Sequence, residues 1–241
     1  MLDLIFLSYA ESNSELNWQK LTERFPRAQR LHGIDGVAQA HATAAKMSRT
    51  DYFFIIDGDN EILPEFQMDF HFTPHPSAVY VWRAKNPVND LTYGYGGIKL
   101  YNKSLFEKLN ASLAATTVDL ATTISLNYHP IPEVGSITHF NATPLEAWRG
   151  GFREAVKLTM NILKNPADHV SAQRLETWCS KGSDRLHGTW AIRGAQQGHA
   201  FAQKEWNEDP QAPSSLSIIN NFQFLNSLFV HQNSRAPEMD L

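Results

Sequence analysis

The chain has 241 residues, 21 Lys and Arg against 25 Asp and Glu, a formal net charge of −4, and 42% hydrophobic residues. That composition excludes disordered and collagen-like classes and a protein that holds nucleic acid by bulk positive charge. The single cysteine, Cys179, excludes an intramolecular disulfide, a cysteine zinc cluster and an iron–sulfur site, and fits a reducing compartment.

Leu4-Ile5-Phe6-Leu7 is a short apolar run far below the ~18 residues of a membrane span, and Asp3 precedes it where a signal peptide carries positive charge. A cytoplasmic protein with no membrane partner is therefore expected. Leu4 to Ser8 lacks a helical period and reads as a buried first strand that feeds the polar loop Tyr9 to Ser14. Ser14 to Arg24 has helical spacing in Leu16, Trp18 and Leu21, and Pro26 ends it. Gln29 to His32 reads as a second strand, before the turn cluster Gly33-Ile34-Asp35-Gly36. Val37 to Met47 is an Ala-rich helix whose expected packing side is Val37, Ala40, Ala44 and Met47.

Tyr52-Phe53-Phe54-Ile55-Ile56 is aromatic and β-branched without alternation, as in a strand buried on both faces of a parallel sheet. Val79 to Arg83 and Gly97 to Tyr101 read as further strands, and Ser104 to Leu109 as a short helix. Thr143 to Leu163 is the longest helical pattern, with Pro144 in its first turn and Asn165-Pro166 beyond its end. Asp168 to Cys179 reads as another helix, and the tail from Asp209 ends in a polar stretch expected to be disordered. Strands alternating with helices in the first half predict an α/β domain with a mixed, mainly parallel sheet flanked by helices, over residues 1–142. A helical C-terminal portion, 143–241, is expected to pack on it.

Asp57 and Asp59 follow the most hydrophobic strand, at the sheet edge where open α/β folds place ligands. Two carboxylates there repel each other unless a cation neutralises them, and Gly58 makes the turn tight enough for both to reach one hard divalent ion. An exposed Asp-Gly turn explains the same residues without chemistry.

The stretch from Gly36 through the Ala-rich helix to Asp57-Gly58-Asp59 resembles the core of GT-A glycosyltransferases of the family-2 type, in which such a strand ends in a D-x-D motif. Tyr93-Gly94-Tyr95-Gly96-Gly97-Ile98-Lys99-Leu100-Tyr101 is similar to the Gly-rich segment that lines the acceptor side in those enzymes, and the likeness covers roughly residues 3–125. Together with Trp148-Arg149, Phe152-Arg153-Glu154 and Gly182-Ser183-Asp184-Arg185, the chain also looks like small glycosyltransferase-like proteins encoded by tailed bacteriophages.

The resemblance implies a hexosyl- or pentosyltransferase in which Asp57 and Asp59 hold Mn2+ or Mg2+ on the diphosphate of a nucleotide-sugar donor, preferably a UDP-sugar. It places Tyr9 and Glu11 at the base and ribose, although a solvated loop accounts for them equally. Asp35 matches a nucleotide-contacting acid or a helix cap. Asp119 matches the general base or a cap for the helix starting near Leu120, and Val118 stands where such enzymes often carry a second acid. His139 matches a third metal ligand or a structural histidine.

Arg149, Arg153 and Lys157 form one stripe on the long helix, suited to donor phosphate or a DNA backbone, or simply solvated. Lys181, Arg185, His187 and Arg193 surround glycines 182, 188 and 194, where mobile loops are expected to close on a substrate. The phage-type resemblance implies 5-hydroxymethylcytosine or 5-hydroxymethyluracil in DNA as the preferred acceptor, with Trp82, Tyr93 and Tyr95 available to stack an extruded base. A glycan or protein hydroxyl is the alternative acceptor, and a non-catalytic binding module the alternative function. A nucleotidyltransferase is disfavoured because Tyr9 to Ser14 has no Lys, Arg or Gly. Dinucleotide, P-loop, zincin and α/β-hydrolase motifs are absent.

Overall fold

A computed structural model describes residues 2–94, 97–107, 109, 120–125, 127–208 and 218–233. The chain divides into two compact units, 1–140 and 141–241. Asp119 and Tyr95 lie outside the described residues, as do 234–241 of the polar tail.

The first unit is built on an eight-stranded mixed sheet. In chain order it contains β1 (Asp3–Ser8), α1 (Ser14–Arg24), β2 (Gln29–His32), α2 (Val37–Met47), β3 (Tyr52–Asp57), β4 (Asn60–Ile62), β5 (Ala78–Lys85) and β6 (Thr92–Tyr93). There follow β7 (Ile98–Asn102), α3 (Ser104–Glu107), α4 (Leu120–Ile124) and β8 (Asn127–Thr138). The strand order is β2-β1-β3-β7-β5-β8-β4, with β6 paired to β5. β1 runs parallel to both β2 and β3, and β5 is parallel to β8, while β7 is antiparallel to β3 and β5.

Alternation along the central strands separates two apolar layers, because successive side chains leave a strand on opposite faces. On one face Ile5, Phe53, Ile55, Val81 and Tyr101 pack with Ala38, Ala44 and Ala45 of α2 and with Leu105 and Phe106 of α3. On the other, Leu4, Phe6, Phe54, Ile56, Trp82, Ile98 and Leu100 pack with Leu21 of α1 and with Phe66. The buried side of α2 is Ala38, Ala40, His41, Ala44 and Ala45; Val37 is 44% exposed, so the helix is rotated from the expected packing side. His41 explains the rotation. Its ring meets the edge of Tyr101 in the buried layer, and its Nδ1 is satisfied within the helix by the Val37 carbonyl at 2.8 Å, so the ring can face inward.

The second unit contains four helices, α5 (Pro144–Lys164), α6 (His169–Ser180), α7 (Gly188–Glu208) and α8 (Phe222–Asn233) among the described residues. Thr143 caps α5: its hydroxyl oxygen accepts from the Glu146 amide at 3.2 Å and Pro144 fills the first helical position. Thr143→Ala is expected to lower stability by about 1 kcal/mol, read as a drop in the urea midpoint with an unchanged slope. Trp148 and Trp178 are fully buried in this unit. Cys179, on α6, is partly buried, and burial pushes its thiol above the usual range.

The expected loops around glycines 188 and 194 are instead helix. Gly188 opens α7, and Gly194 lies inside it against the backbone of α5. A Cβ at Gly194 or Gly198 would strike the carbonyl oxygen of Trp148 or Phe152, and one at Gly151 that of Ala191. The helices therefore meet main chain to main chain, which is why glycine stands there.

Candidate functional site

The chain leaves β1, makes α1 and returns to β2 on one side of β1; it then makes α2 and returns to β3 on the other side. Such a reversal opens a crevice at the carboxyl ends of the two diverging strands, where open α/β sheets bind ligands. Leu7 pairs with Asp57 across β1 and β3, so the loop after β1 and the Asp57-Gly58-Asp59 turn share this edge.

Gly58 brings them into contact. A Cβ there would lie 2.8 Å from Glu11 Oε2 and 2.9 Å from Ser8 Cβ, so only glycine lets the Glu11 carboxylate lie against the turn. Glu11 Oε2 also accepts from the Tyr9 amide at 2.8 Å. From below, Asn17 of α1, itself buried, donates to the Gly58 carbonyl at 3.0 Å. The Asp57 amide donates to the Gly97 carbonyl at 3.1 Å, tying the turn to the glycine-rich segment before β7.

The two aspartates differ in how their charge is balanced. Asp57 Oδ2 is 2.7 Å from Lys99 Nζ, an ion pair whose lysine side chain is 11% exposed. The Asp59 carboxylate accepts a hydrogen bond from Asn60 Nδ2 at 2.6 Å. Burial first, and then the neighbouring charges of Asp57 and Glu11, push the Asp59 carboxyl up to about 7; the Asn60 bond and Lys99 oppose this. Asn60 is fixed in turn by the hydroxyls of Ser136 and Thr138, which donate to its Oδ1 at 2.9 and 2.8 Å.

The raised Asp59 carboxyl sets a pH dependence. Its folded value near 7 exceeds the ordinary 3.8, so the folded protein holds a proton that the unfolded chain gives up; the associated stability is complete below about pH 4 and is lost as pH rises through 7. The melting temperature of metal-free protein is expected to fall between pH 5 and 8 by more than that of Asp59→Asn. Parallel melting curves for the two proteins would refute this.

Of the other anticipated residues, His139 is brought close through its main chain, its amide donating to the Asp59 carbonyl at 2.7 Å. Its ring Nε2 meets Glu61 Oε2 at 2.8 Å instead, and Glu61 also binds Lys20 at 2.6 Å. The Lys20 hydrogen bond, supported by His139, holds the Glu61 carboxyl below its usual range. Among the described residues no three His, Cys, Asp or Glu side chains are gathered as a metal cage. Two carboxylates with excess negative charge still fit a hard cation that completes its shell with phosphate oxygens and water.

Tyr9 is 43% exposed at the crevice edge. Asp35 is not the cap of α2, whose capping position is Gly36 with φ +86°. Arg149 and Arg153 lie in the second unit, stacked over the Phe222 ring at 4.0 and 5.4 Å, with Arg153 Nη2 donating to Asn220 Oδ1 at 2.9 Å. Arg193 lies over Trp190 on α7. Trp82 and Tyr93 are 3% and 5% exposed and belong to the interior. Lys99 and Asn60 went unassigned in the sequence reading. Lys99 had a signal, a charge in the middle of an apolar strand; Asn60 had none beyond its place after Asp59.

Among solved structures the chain is similar to a mannosyltransferase, PcManGT from Pyrobaculum calidifontis in complex with GDP-Man and Mn2+. The TM-score is 0.42 at 13% identity, over 97% of this chain and 88% of that one. It is also similar to S. aureus TarS 1-349, with a TM-score of 0.35 at 10% identity over 99% and 94% of the two chains. No protein-family model and no curated protein matches the chain. Among the described residues no helix is long and apolar enough to cross a membrane.

Proposed function

We propose that the chain is a metal-dependent glycosyltransferase that moves a sugar from a nucleotide diphosphate donor, by preference a UDP-sugar, to a hydroxyl acceptor. The observation that carries this reading is the pair Asp57 and Asp59 at the β1/β3 crevice, where the Asp59 carboxyl, bonded by Asn60 Nδ2, is still pushed up to about 7. That is an unfavourable arrangement in isolation, and a divalent ion relieves it.

Asp57 and Asp59 would hold Mn2+ or Mg2+, which when bound neutralises charge on the leaving diphosphate. Asn60 and Asn17 keep the turn from rotating away, through Asp59 Oδ1 and the Gly58 carbonyl. Tyr9 and Glu11 stand at the end of β1 for the base and ribose, and Asp119 remains the candidate base for the acceptor hydroxyl. His139, with Nε2 engaged by Glu61, serves the site through its amide on the Asp59 carbonyl.

For the acceptor, a 5-hydroxymethylpyrimidine in DNA and a glycan or protein hydroxyl are the two classes to compare. Burial of Trp82 and Tyr93 removes two platforms for an extruded base, which favours an acceptor reached without base flipping. Two assays test these points. The first incubates the protein with Mn2+ and a panel of nucleotide-sugars and follows slow donor hydrolysis; metal-dependent binding without turnover would mark a binding module. The second supplies the active donor with hydroxymethylated DNA or with glycan, followed by mass analysis of each.

A further inference from the structure

We propose that Lys99 is the resident cation of the Asp57-Gly58-Asp59 turn, a gate that admits a divalent ion together with a nucleotide diphosphate and disfavours the ion alone. The inference rests on the metal-dependent reading above and concerns how that site is loaded.

Lys99 lies on β7, paired with Ile55 of β3 and Val81 of β5. Both neighbours are fully buried or nearly so. Its strand neighbours Ile98 and Leu100 point into one apolar layer, while Tyr101, two residues on, belongs to the other. By this alternation Lys99 shares the face of Ile55, Val81 and Tyr101, a row in which an aliphatic side chain would pack without a charge. An ammonium in such a place is costly unless paired, and Asp57 pairs it at 2.7 Å. Asp57 follows Ile55 by two residues on the same face of β3, so the lysine stem runs beneath the turn and delivers its charge from the protein side.

Consequently the metal-free site already contains a cation, in direct contact with the Asp57 carboxylate. A divalent ion arriving alone at Asp57 must share that carboxylate with an ammonium at close range, and the two positive charges repel in a partly desolvated place. A nucleotide diphosphate removes the conflict, since its negative charge faces both cations at once. Metal and nucleotide should then raise each other's affinity, a coupling that is reciprocal by linkage.

The test titrates Mn2+ by calorimetry, with and without UDP or GDP, into wild type, Lys99→Met and Lys99→Arg. Lys99→Met is expected to bind Mn2+ alone about tenfold tighter or more, and the enhancement of Mn2+ affinity by nucleotide should shrink by a similar factor. Lys99→Arg keeps the charge and should behave as wild type. If Lys99→Met does not fold, Lys99→Gln carries the same expectation. An Mn2+ affinity in Lys99→Met equal to or weaker than that of wild type overturns the gate, as does a wild type that binds Mn2+ equally well with and without nucleotide. Absence of Mn2+ binding in every protein, with or without nucleotide, overturns the metal-dependent reading itself and the gate with it.

Discussion

Asp59→Asn is expected to cut Mn2+-dependent nucleotide binding and sugar transfer by about 10²-fold or more, as loss of a charged metal ligand does when even indirect partners are worth 10–100-fold. The same substitution should leave metal-free stability unchanged or raised at pH 8. It removes a partly buried charge that Asp57 and Glu11 oppose and keeps the size of the side chain. In the variant Asn60 Nδ2 still has an acceptor, the side-chain amide oxygen introduced at position 59. A loss of function with an intact or higher melting temperature separates a binding role from a structural one. Retained Mn2+-dependent nucleotide affinity, or an equal loss of fold and function, would remove Asp59 from the site. Calorimetry and thermal unfolding on one preparation measure both.

The parts of this site that could be read in the amino-acid order are those that depend on local pattern. β3 is legible because Tyr52 to Ile56 has no polar break, and the Asp-Gly-Asp turn because it follows directly. α5 is legible from Thr143-Pro144 at its start and Asn165-Pro166 after its end. β8 was missed for a physical reason: Pro130, Pro132 and Gly135 interrupt it, and the strand keeps its pairing with β5 through register shifts between Ile131 and Ser136. Extra residues taken up in a bulge let a strand carry prolines that a regular ladder rejects.

α7 was missed because Gly188 and Gly194 read as loop punctuation, whereas Gly194, with Gly198 one turn on, is a contact point with another helix. The ion pair of Lys99 with Asp57 joins residues 42 apart, and only the antiparallel placement of β7 beside β3 makes them neighbours. Arg149 and Arg153 were legible as a stripe of charge, but that Phe222 lies under them depends on a helix in the tail that the sequence pattern did not reveal.

Gly194→Ala sets two opposing effects against each other. In a solvated helix the change is worth about 1 kcal/mol in favour of alanine. Here the new methyl would meet the Trp148 carbonyl oxygen and lie 2.8 Å from its carbon. Overpacking costs about 1–3 kcal/mol, and main chain yields less readily than a flexible side chain. A net destabilisation of about 2 kcal/mol is expected for alanine, with a larger loss for Gly194→Val, which adds bulk and gains less in helix propensity. Urea unfolding followed by tryptophan emission measures it. A Gly194→Ala protein more stable than wild type would show that α5 and α7 part easily at that point.

Cys179, partly buried on α6 with its thiol pushed up by burial, offers a chemical clock. It is the one cysteine of the whole sequence, so the 1–140 unit contains none. A sulfhydryl reagent therefore modifies the native protein slowly and faster once the 141–241 unit opens, because a partly buried thiol whose pKa is raised supplies little thiolate. Labelling rates taken along a denaturant series then report the opening free energy of that unit alone, while the tryptophans, present in both units, report the sum.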